Sequence, residues 1–206
     1  MKIESIAVIG AGPIGRGIAY AAALGGFRTM LEDVSASTLE QGMAYIRESL
    51  DDGVARGTVT AEARAAALAR ISTSSVVEEA CRQGDLLIEA VPEDMETKLE
   101  IFTLFDKFAK PGAIFASTTS TLSVSETATI TFCPERCIGM HFFNPVPKMK
   151  LLEVVRALET SEETLQACVE AGRRMAEDVV VVNEKETLGS LPAGASPLIG
   201  SEGFHD

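Results

Sequence analysis

The chain has 206 residues, of which 46% are hydrophobic and 23% charged, and its formal net charge is −12. This length accommodates one α/β domain with a sizeable core, and the composition is that of an ordinary globular protein. The acidic balance, without a long basic run, argues against nucleic acid or an anionic membrane as a partner. No apolar run approaches the ~20 residues of a membrane-spanning helix, and the first predicted strand begins too early for a targeting peptide, so we expect a cytoplasmic protein.

A glycine-rich turn joins the first predicted strand to the first predicted helix. The apolar run 6–9 is typical of a buried parallel strand, and Gly10-x-Gly12-x-x-Gly15 leads from it into an alanine-rich helix over 14–24. Glycines at this spacing provide a tight turn, close approach to a pyrophosphate, and close packing of helix on strand, while the helix N-terminus attracts phosphate. The turn therefore predicts a dinucleotide site, with contacts from Gly10, Gly12, Pro13, Ile14 and Gly15.

A carboxylate follows the second predicted strand at the distance such a site requires. Asp33 ends the run that begins at residue 28, and it stands 18 residues after Gly15. An acid at this point hydrogen-bonds a ribose 2′-hydroxyl and repels a 2′-phosphate, which favours NAD over NADP as the cofactor. The alternative is a glycine turn in an α/β protein without a cofactor.

The rest of the chain alternates between strand-like and helix-like segments. This alternation predicts a Rossmann-type, doubly wound α/β fold with a mostly parallel sheet and helices on both faces. Further strands are predicted over 71–73, 85–91, 113–116, 137–140, 151–155 and 178–182, and further helices over 36–54, 61–69, 95–108 and 162–176. Of the 24 residues 183–206, nine are Gly, Pro or Ser. We therefore expect one domain over 1–182 and an irregular tail over 183–206.

The cysteines do not have the spacing of a zinc site or of a CxxC redox pair. We therefore predict no metal site, and we expect buried, reduced thiols. The residues concerned are Cys81, Cys133, Cys137 and Cys168.

A dinucleotide-dependent dehydrogenase needs a base that takes the proton of the alcohol, and histidine is the usual choice. Of the two histidines, His205 lies in the tail, whereas His141 ends the sixth predicted strand, where open α/β sheets bind ligands. Glu153 stands within an apolar strand, where a charge is costly unless it is paired, so it is the candidate partner of the imidazole. A purely structural role for His141 is an equally open alternative.

Two other strand ends carry polar groups. Glu93 follows the strand over 85–91 and can face the nicotinamide half of the cofactor, or it can simply favour the start of the next helix. The run Ser117-Thr118-Thr119-Ser120-Thr121 follows the next strand. Its hydroxyls can bind a substrate carbonyl or a ribose, although such turns more often bond their own backbone.

Four motifs in this order resemble the NAD-binding domain of the L-3-hydroxyacyl-CoA dehydrogenase family, which includes 3-hydroxybutyryl-CoA dehydrogenases. They are the glycine turn, Glu89-Ala90-Val91-Pro92-Glu93, the serine/threonine run through Leu122, and the segment from His141-Phe142-Phe143-Asn144-Pro145 to Val155. The resemblance covers roughly residues 3–182. It implies reversible oxidation of an (S)-3-hydroxyacyl-CoA to the 3-ketoacyl-CoA by NAD, in fatty acid metabolism.

The resemblance also implies a role for individual residues. His141 would be the catalytic base and Glu153 its orienting partner, while Ser120 and Asn144 would contact substrate and nicotinamide. Asp33 would hold the adenosine ribose. In addition, Glu93 and Lys98 would line the cofactor site, and Ser49 and Arg56 would meet the CoA moiety.

The chain departs from the family pattern at two places. Thr118 replaces an asparagine of the serine-rich loop, which preserves the hydrogen-bonding capacity. After residue 182, the family's Pro-Gly-Phe-x-x-Asn-Arg segment and helical domain of roughly a hundred residues do not follow. The alternative function is therefore a truncated NAD-binding module with little or no dehydrogenase activity, which self-associates or pairs with a separate helical domain. A dehydrogenase of a free 3-hydroxy acid is a third, weaker hypothesis.

Overall fold

The computed structural model describes residues 2–175 and 178–184, and within these ranges it contains eight strands and seven α-helices. The strands are β1 Ser5–Ile9, β2 Arg28–Glu32, β3 Ile71–Ser74, β4 Leu86–Glu89, β5 Ile114–Ser117, β6 Cys137–Phe142, β7 Leu151–Arg156 and β8 Asp178–Asn183. The helices are α1 Pro13–Leu24, α2 Ala36–Ala55, α3 Ala61–Arg70, α4 Val77–Gln83, α5 Met95–Phe108, α6 Val124–Ala128 and α7 Glu162–Arg174.

All eight strands form one sheet in the order β3-β2-β1-β4-β5-β6-β7-β8. Every neighbouring pair is parallel except β6 and β7, which are antiparallel. Parallel strands need crossover helices, and these cover both faces of the sheet, so β1, β4 and β5 are buried throughout. The predicted Rossmann-type, mostly parallel fold is confirmed.

Side-chain alternation along the strands divides the core between the two faces of the sheet. On one face, α1 and α7 pack with residues such as Val8, Leu31 and Val154. On the other face, α4 and α5 pack over Met30 and Phe115, and three phenylalanine rings (Phe102, Phe105 and Phe115) lie 5.5–6.4 Å apart. Met30 and Glu32 therefore share the α4/α5 face, because they are two residues apart on β2.

Several boundaries differ from the predicted ones. The helices α4 and α6 were not predicted, because seven and five residues are too few to establish a helical period. The strand β2 extends through Glu32, so Asp33 lies just after the strand instead of ending it. The irregular tail was predicted from residue 183, but Asn183 belongs to β8, and Glu184 accepts hydrogen bonds from Ser123 and Ser125. The rest of the predicted tail lies outside the described residues.

All four cysteines are buried, as predicted, and none of them is in a disulfide. None of the helices in the described part of the chain is long and apolar enough to cross a membrane.

Candidate functional site

The carboxyl ends of five parallel strands border one cleft of about 870 Å³. These strands are β1, β2, β4, β5 and β6, and ligands of open α/β sheets bind at this edge. The structure brings eight predicted site residues together in the wall of this cleft: Gly10, Gly12, Pro13, Ile14, Asp33, Glu93, Ser120 and His141.

The three glycines of the turn lie in different environments. A Cβ on Gly10, whose φ is 104°, would lie 2.6 Å from the carbonyl oxygen of Ala90. A Cβ on Gly15 would lie 1.8 Å from the carbonyl oxygen of Gly10, so both positions require glycine for packing alone. A Cβ on Gly12 would meet nothing within 4 Å, although Gly12 caps the N-terminus of α1. Open space at a helix N-terminus fits a pyrophosphate, which a side chain here would displace.

Asp33 is held in the turn between β2 and α2. Its Oδ2 accepts a hydrogen bond from the backbone N–H of Ala11 at 2.9 Å, and its Oδ1 accepts one from the backbone N–H of Ser35 at 2.9 Å. The carboxylate is thereby fixed beside the glycine turn, and it borders the same cleft. This position suits a ribose hydroxyl donor, which a carboxylate can accept with its remaining lone pairs.

Glu32 lines the same cleft, although it was not predicted as a site residue. It is 2% exposed, and its Oε1 has no hydrogen-bond partner among the described residues. Burial, together with the negative charges of Asp33 and Glu78, raises the pKa of Glu32 to about 7. Its signal in the sequence was a second acid directly before Asp33, following the apolar pair Met30-Leu31.

The two residues predicted to act together in catalysis are direct neighbours across the one antiparallel strand pair of the described sheet. His141 on β6 is in register with Glu153 on β7, and the imidazole Nδ1 lies 3.1 Å from Glu153 Oε2. The Glu153 side chain is fully buried, whereas 16% of the His141 side chain is exposed. A proton on Nδ1 directed to the carboxylate leaves Nε2 with a lone pair, the form that a general base requires.

Glu93 is bound to the hydroxyl-rich loop that follows β5. Its Oε1 accepts hydrogen bonds from Thr119 Oγ1 at 2.5 Å, Thr121 Oγ1 at 3.0 Å and the backbone N–H of Ser120 at 3.3 Å. Burial opposes ionisation of Glu93, but the hydrogen bond from Thr119 and the charge of Lys98 outweigh it and lower the pKa. Glu93 is therefore an ionised acceptor at the edge of the cleft.

Lys98 lies beneath the cleft and is not among the residues that line it, in contrast to the predicted placement. The Lys98 side chain is fully buried, and its charge is paired there. Nζ donates to both carboxylate oxygens of Glu89 at 2.8 Å and also lies 3.2 Å from Glu93 Oε2. Glu89 Oε2 also accepts a hydrogen bond from Ser117 Oγ at 2.6 Å. Buried charges need such pairing. In this structure Lys98 acts on the cleft through Glu93.

A second cleft of about 1050 Å³ holds the remaining predicted residues Asn144, Ser49 and Arg56. Pro13 borders both clefts, and Asn144 follows His141 by three residues, so the two clefts adjoin near the end of β6. Asn144 was predicted to contact nicotinamide as well as substrate, but it lines the second cleft and not the first.

The second cleft is rich in cations, although the chain as a whole is acidic. Two carboxylates line it (Glu48 and Asp52), against five basic side chains: Arg16, Arg56, Lys148, Lys150 and Arg174. The Arg16 guanidinium lies 4.2 Å from the centre of the Tyr45 ring, and its Nε has no hydrogen-bond partner among the described residues. Sequence reasoning missed four of these cations, because they are spread over three segments of the chain that only the fold brings together.

Known proteins resemble the chain over most of its length. The family described as "3-hydroxyacyl-CoA dehydrogenase, NAD binding domain" matches residues 5–185. A probable 3-hydroxybutyryl-CoA dehydrogenase of Bacillus subtilis is 41% identical over 89% of the chain and 64% of the relative. A 3-hydroxybutyryl-CoA dehydrogenase of Bradyrhizobium diazoefficiens is 42% identical over 87% of the chain and 61% of the relative.

Solved structures resemble the fold as well. The (S)-3-hydroxybutyryl-CoA dehydrogenase of Ralstonia eutropha superposes with a TM-score of 0.84 at 34% identity, over 89% of this chain and 64% of the other. The chain thus spans less than two thirds of the length of these relatives. The glycine turn with open space at Gly12, the carboxylate of Asp33 and the family match agree with one another. The chain therefore belongs to the NAD-binding domain family of the 3-hydroxyacyl-CoA dehydrogenases, and its cofactor is NAD.

Proposed function

We propose that the protein catalyses the reversible oxidation of an (S)-3-hydroxyacyl-CoA to the 3-ketoacyl-CoA in fatty acid metabolism. The observation that carries this proposal is the pair formed by His141 and Glu153, which opens onto the cleft that the cofactor residues Gly12 and Asp33 also line. The names of the relatives, which are 3-hydroxybutyryl-CoA dehydrogenases, agree with it.

The residues of the cleft supply the acid–base part of this reaction. NAD, when bound, takes up the hydride from the alcohol carbon. His141 Nε2 accepts the proton of the substrate hydroxyl, and the buried carboxylate of Glu153 stabilises the imidazolium that forms. The hydroxyl of Ser120 and the amide of Asn144 donate to the carbonyl oxygen as it develops. Glu93, supported by Lys98, borders the nicotinamide end of the cleft.

The second cleft is proposed as the binding site of the CoA moiety. CoA carries a pyrophosphate and a ribose phosphate, and clustered Arg and Lys side chains bind phosphate through charge-assisted hydrogen bonds. Ser49 and Arg56 lie in this cleft with Arg16 and Lys148. Because the two clefts meet near Asn144, an acyl chain can pass from the second cleft to His141.

A second candidate function is an NAD-binding module that requires a separate helical domain or self-association for activity. The chain covers about 61–64% of its curated relatives, and Val180 and Val181 of β8 are 40% and 48% exposed. Exposed apolar side chains favour contact with a partner surface. In either form we propose a cytoplasmic protein, because free cysteines are typical of a reducing compartment.

The deciding experiment follows the absorbance of NADH when the purified protein meets acetoacetyl-CoA at high protein concentration, with NADH binding measured in parallel by fluorescence. Steady loss of NADH that His141→Ala abolishes, without a change in NADH affinity, supports the dehydrogenase. Bound NADH without turnover supports the module, and turnover that survives His141→Ala removes His141 from the mechanism.

A further inference from the structure

Glu32 is a buried acid in the cofactor cleft that the proposed reaction does not use. It is the last residue of β2, it is 2% exposed, and it lines the cleft beside Asp33. Its Oε1 has no hydrogen-bond partner in the described part of the chain. Buried polar atoms are almost always paired, so an orphaned oxygen in a cleft wall indicates that a ligand completes it.

The surroundings of Glu32 indicate which part of NAD contacts this carboxyl group. Asp33 marks the adenosine end of the cleft, and the nearby walls are apolar: Val34, Val77, Val91 and Ile101. Three of these four also pack against the core on the α4/α5 face of the sheet. Thr38, Thr97 and Glu100 also line this cleft. A purine base has flat apolar faces and one polar edge, so it suits these apolar walls with a buried polar group beside them.

The charges around Glu32 favour its protonated form. Asp33 at the end of β2 and Glu78 on α4 are negative, Cys81 on α4 and Ser74 on β3 are neutral, and no lysine or arginine of the described chain lines the cleft. Desolvation and these two like charges therefore hold the proton on Glu32 up to a pH of about 7.

We propose that Glu32 binds the adenine base of NAD as a neutral carboxylic acid. Its O–H donates to a ring nitrogen, and its carbonyl oxygen accepts from the exocyclic amino group. Adenine presents one donor beside one acceptor on its edge, and a protonated carboxyl presents the complementary pair, which an ionised carboxylate does not. The proposal rests on the assignment of this cleft to NAD, and it makes Glu32 a residue that determines cofactor affinity.

The consequence is a pH dependence of cofactor affinity that originates at the adenosine end. Above pH 7, each further pH unit lowers the neutral fraction of Glu32 about tenfold, so the Kd rises by up to that factor. We expect the Kd of NADH at pH 8 to be about tenfold higher than at pH 6. ADP-ribose, which lacks nicotinamide, shows the same change, because it retains adenine and does not reach Glu93 or His141.

The test titrates the intact protein with NADH by fluorescence and with ADP-ribose by calorimetry, at pH 6 and pH 8. Two variants separate hydrogen bonding from charge: Glu32→Gln keeps a donor and an acceptor, whereas Glu32→Leu keeps neither. Glu96→Gln on the exposed first turn of α5 is the matched control, because it removes one carboxylate away from the cleft. Thermal unfolding at pH 6 verifies that each variant is folded.

We expect a pH-independent, tight Kd for Glu32→Gln, a pH-independent Kd about tenfold weaker for Glu32→Leu, and the behaviour of the unmodified protein for Glu96→Gln. Equal affinity of the Gln and Leu variants would reduce the effect to charge repulsion and overturn the hydrogen bond. An ADP-ribose Kd that does not change between pH 6 and pH 8 would overturn the proposal, even if no variant folds. In that case NADH binding and turnover would leave the proposed function intact, whereas a protein that binds no NADH would overturn both.

Discussion

The substitution Glu153→Gln tests how the buried carboxylate supports His141. The carboxylate of Glu153 is fully buried, and its Oε2 lies 3.1 Å from His141 Nδ1. Glutamine has nearly the same shape but no charge, and its amide N–H₂ can donate to Nδ1. That hydrogen bond would place the imidazole proton on Nε2, where the base must have its lone pair.

The expected loss of activity follows from this distance. Two unit charges 3.1 Å apart interact by about 5 kcal/mol at an effective dielectric constant of about 20, which sets an upper limit of roughly 10⁴-fold in rate. When the amide instead presents its oxygen to the Nδ1 proton, a neutral hydrogen bond in the productive tautomer remains and offsets part of this loss. We therefore expect kcat to fall about 10²–10³-fold, with the Kd of NADH changed less than about threefold, because Glu153 lies behind His141.

The assay is reduction of acetoacetyl-CoA, with NADH fluorescence as the binding readout. The matched control is Glu162→Gln, an exposed carboxylate on α7 that pairs with Arg156 of β7 at 3.0 Å. In a preparation without turnover, imidazole ¹⁵N spectra give a second readout, because the chain has only two histidines. A kcat within threefold of the unmodified protein, or unchanged imidazole spectra, would refute the orienting role of Glu153.

The remaining predictions concern the cofactor cleft. Gly15→Ala lowers the free energy of unfolding by at least about 2 kcal/mol, because its Cβ would lie 1.8 Å from a backbone oxygen, and an unchanged melting temperature would contradict this. Gly12→Ala changes the free energy of unfolding by less than about 1 kcal/mol, because its Cβ enters open space. The same Cβ occupies the space of the pyrophosphate, so the Kd of NADH in a fluorescence titration should rise about tenfold. Asp33→Ala weakens the binding of NADH and reduces the protein's preference for NADH over NADPH. An unchanged ratio of the two affinities in the variant would count against the ribose contact. The pKa of Glu32 is raised from 4.5 to about 7 on folding, so the native state holds a proton that the unfolded state loses, and stability falls as the pH rises through this window. Glu32→Gln removes this pH-dependent loss. In urea unfolding, the free energy of unfolding of the variant relative to the unmodified protein should therefore be up to about 3 kcal/mol more favourable at pH 8 than at pH 4.5.

Local patterns predicted the fold and most of the cofactor side of the cleft. The glycine spacing, the acid after β2 and the alternation of strands and helices each depend on a few neighbouring residues, so they were readable without the structure. The partnership of His141 and Glu153 was also predicted, because a carboxylate inside an apolar strand demands a partner. The short helices α4 and α6 and the last residues of β2 and β8 were missed, because such segments carry too little periodicity.

The amino-acid sequence by itself determined the family, the fold class and the residue types of the cleft, because these follow from motifs and from hydrophobic period. Only the tertiary structure decided which side chains meet. It buried Lys98 under Glu93, put Asn144 in the second cleft, gathered basic residues from four segments around that cleft, and left Glu32 with an oxygen that has no partner among the described residues. Burial and distances between residues far apart in the chain arise only when the sheet and its helices pack, and they set the charge state of each group.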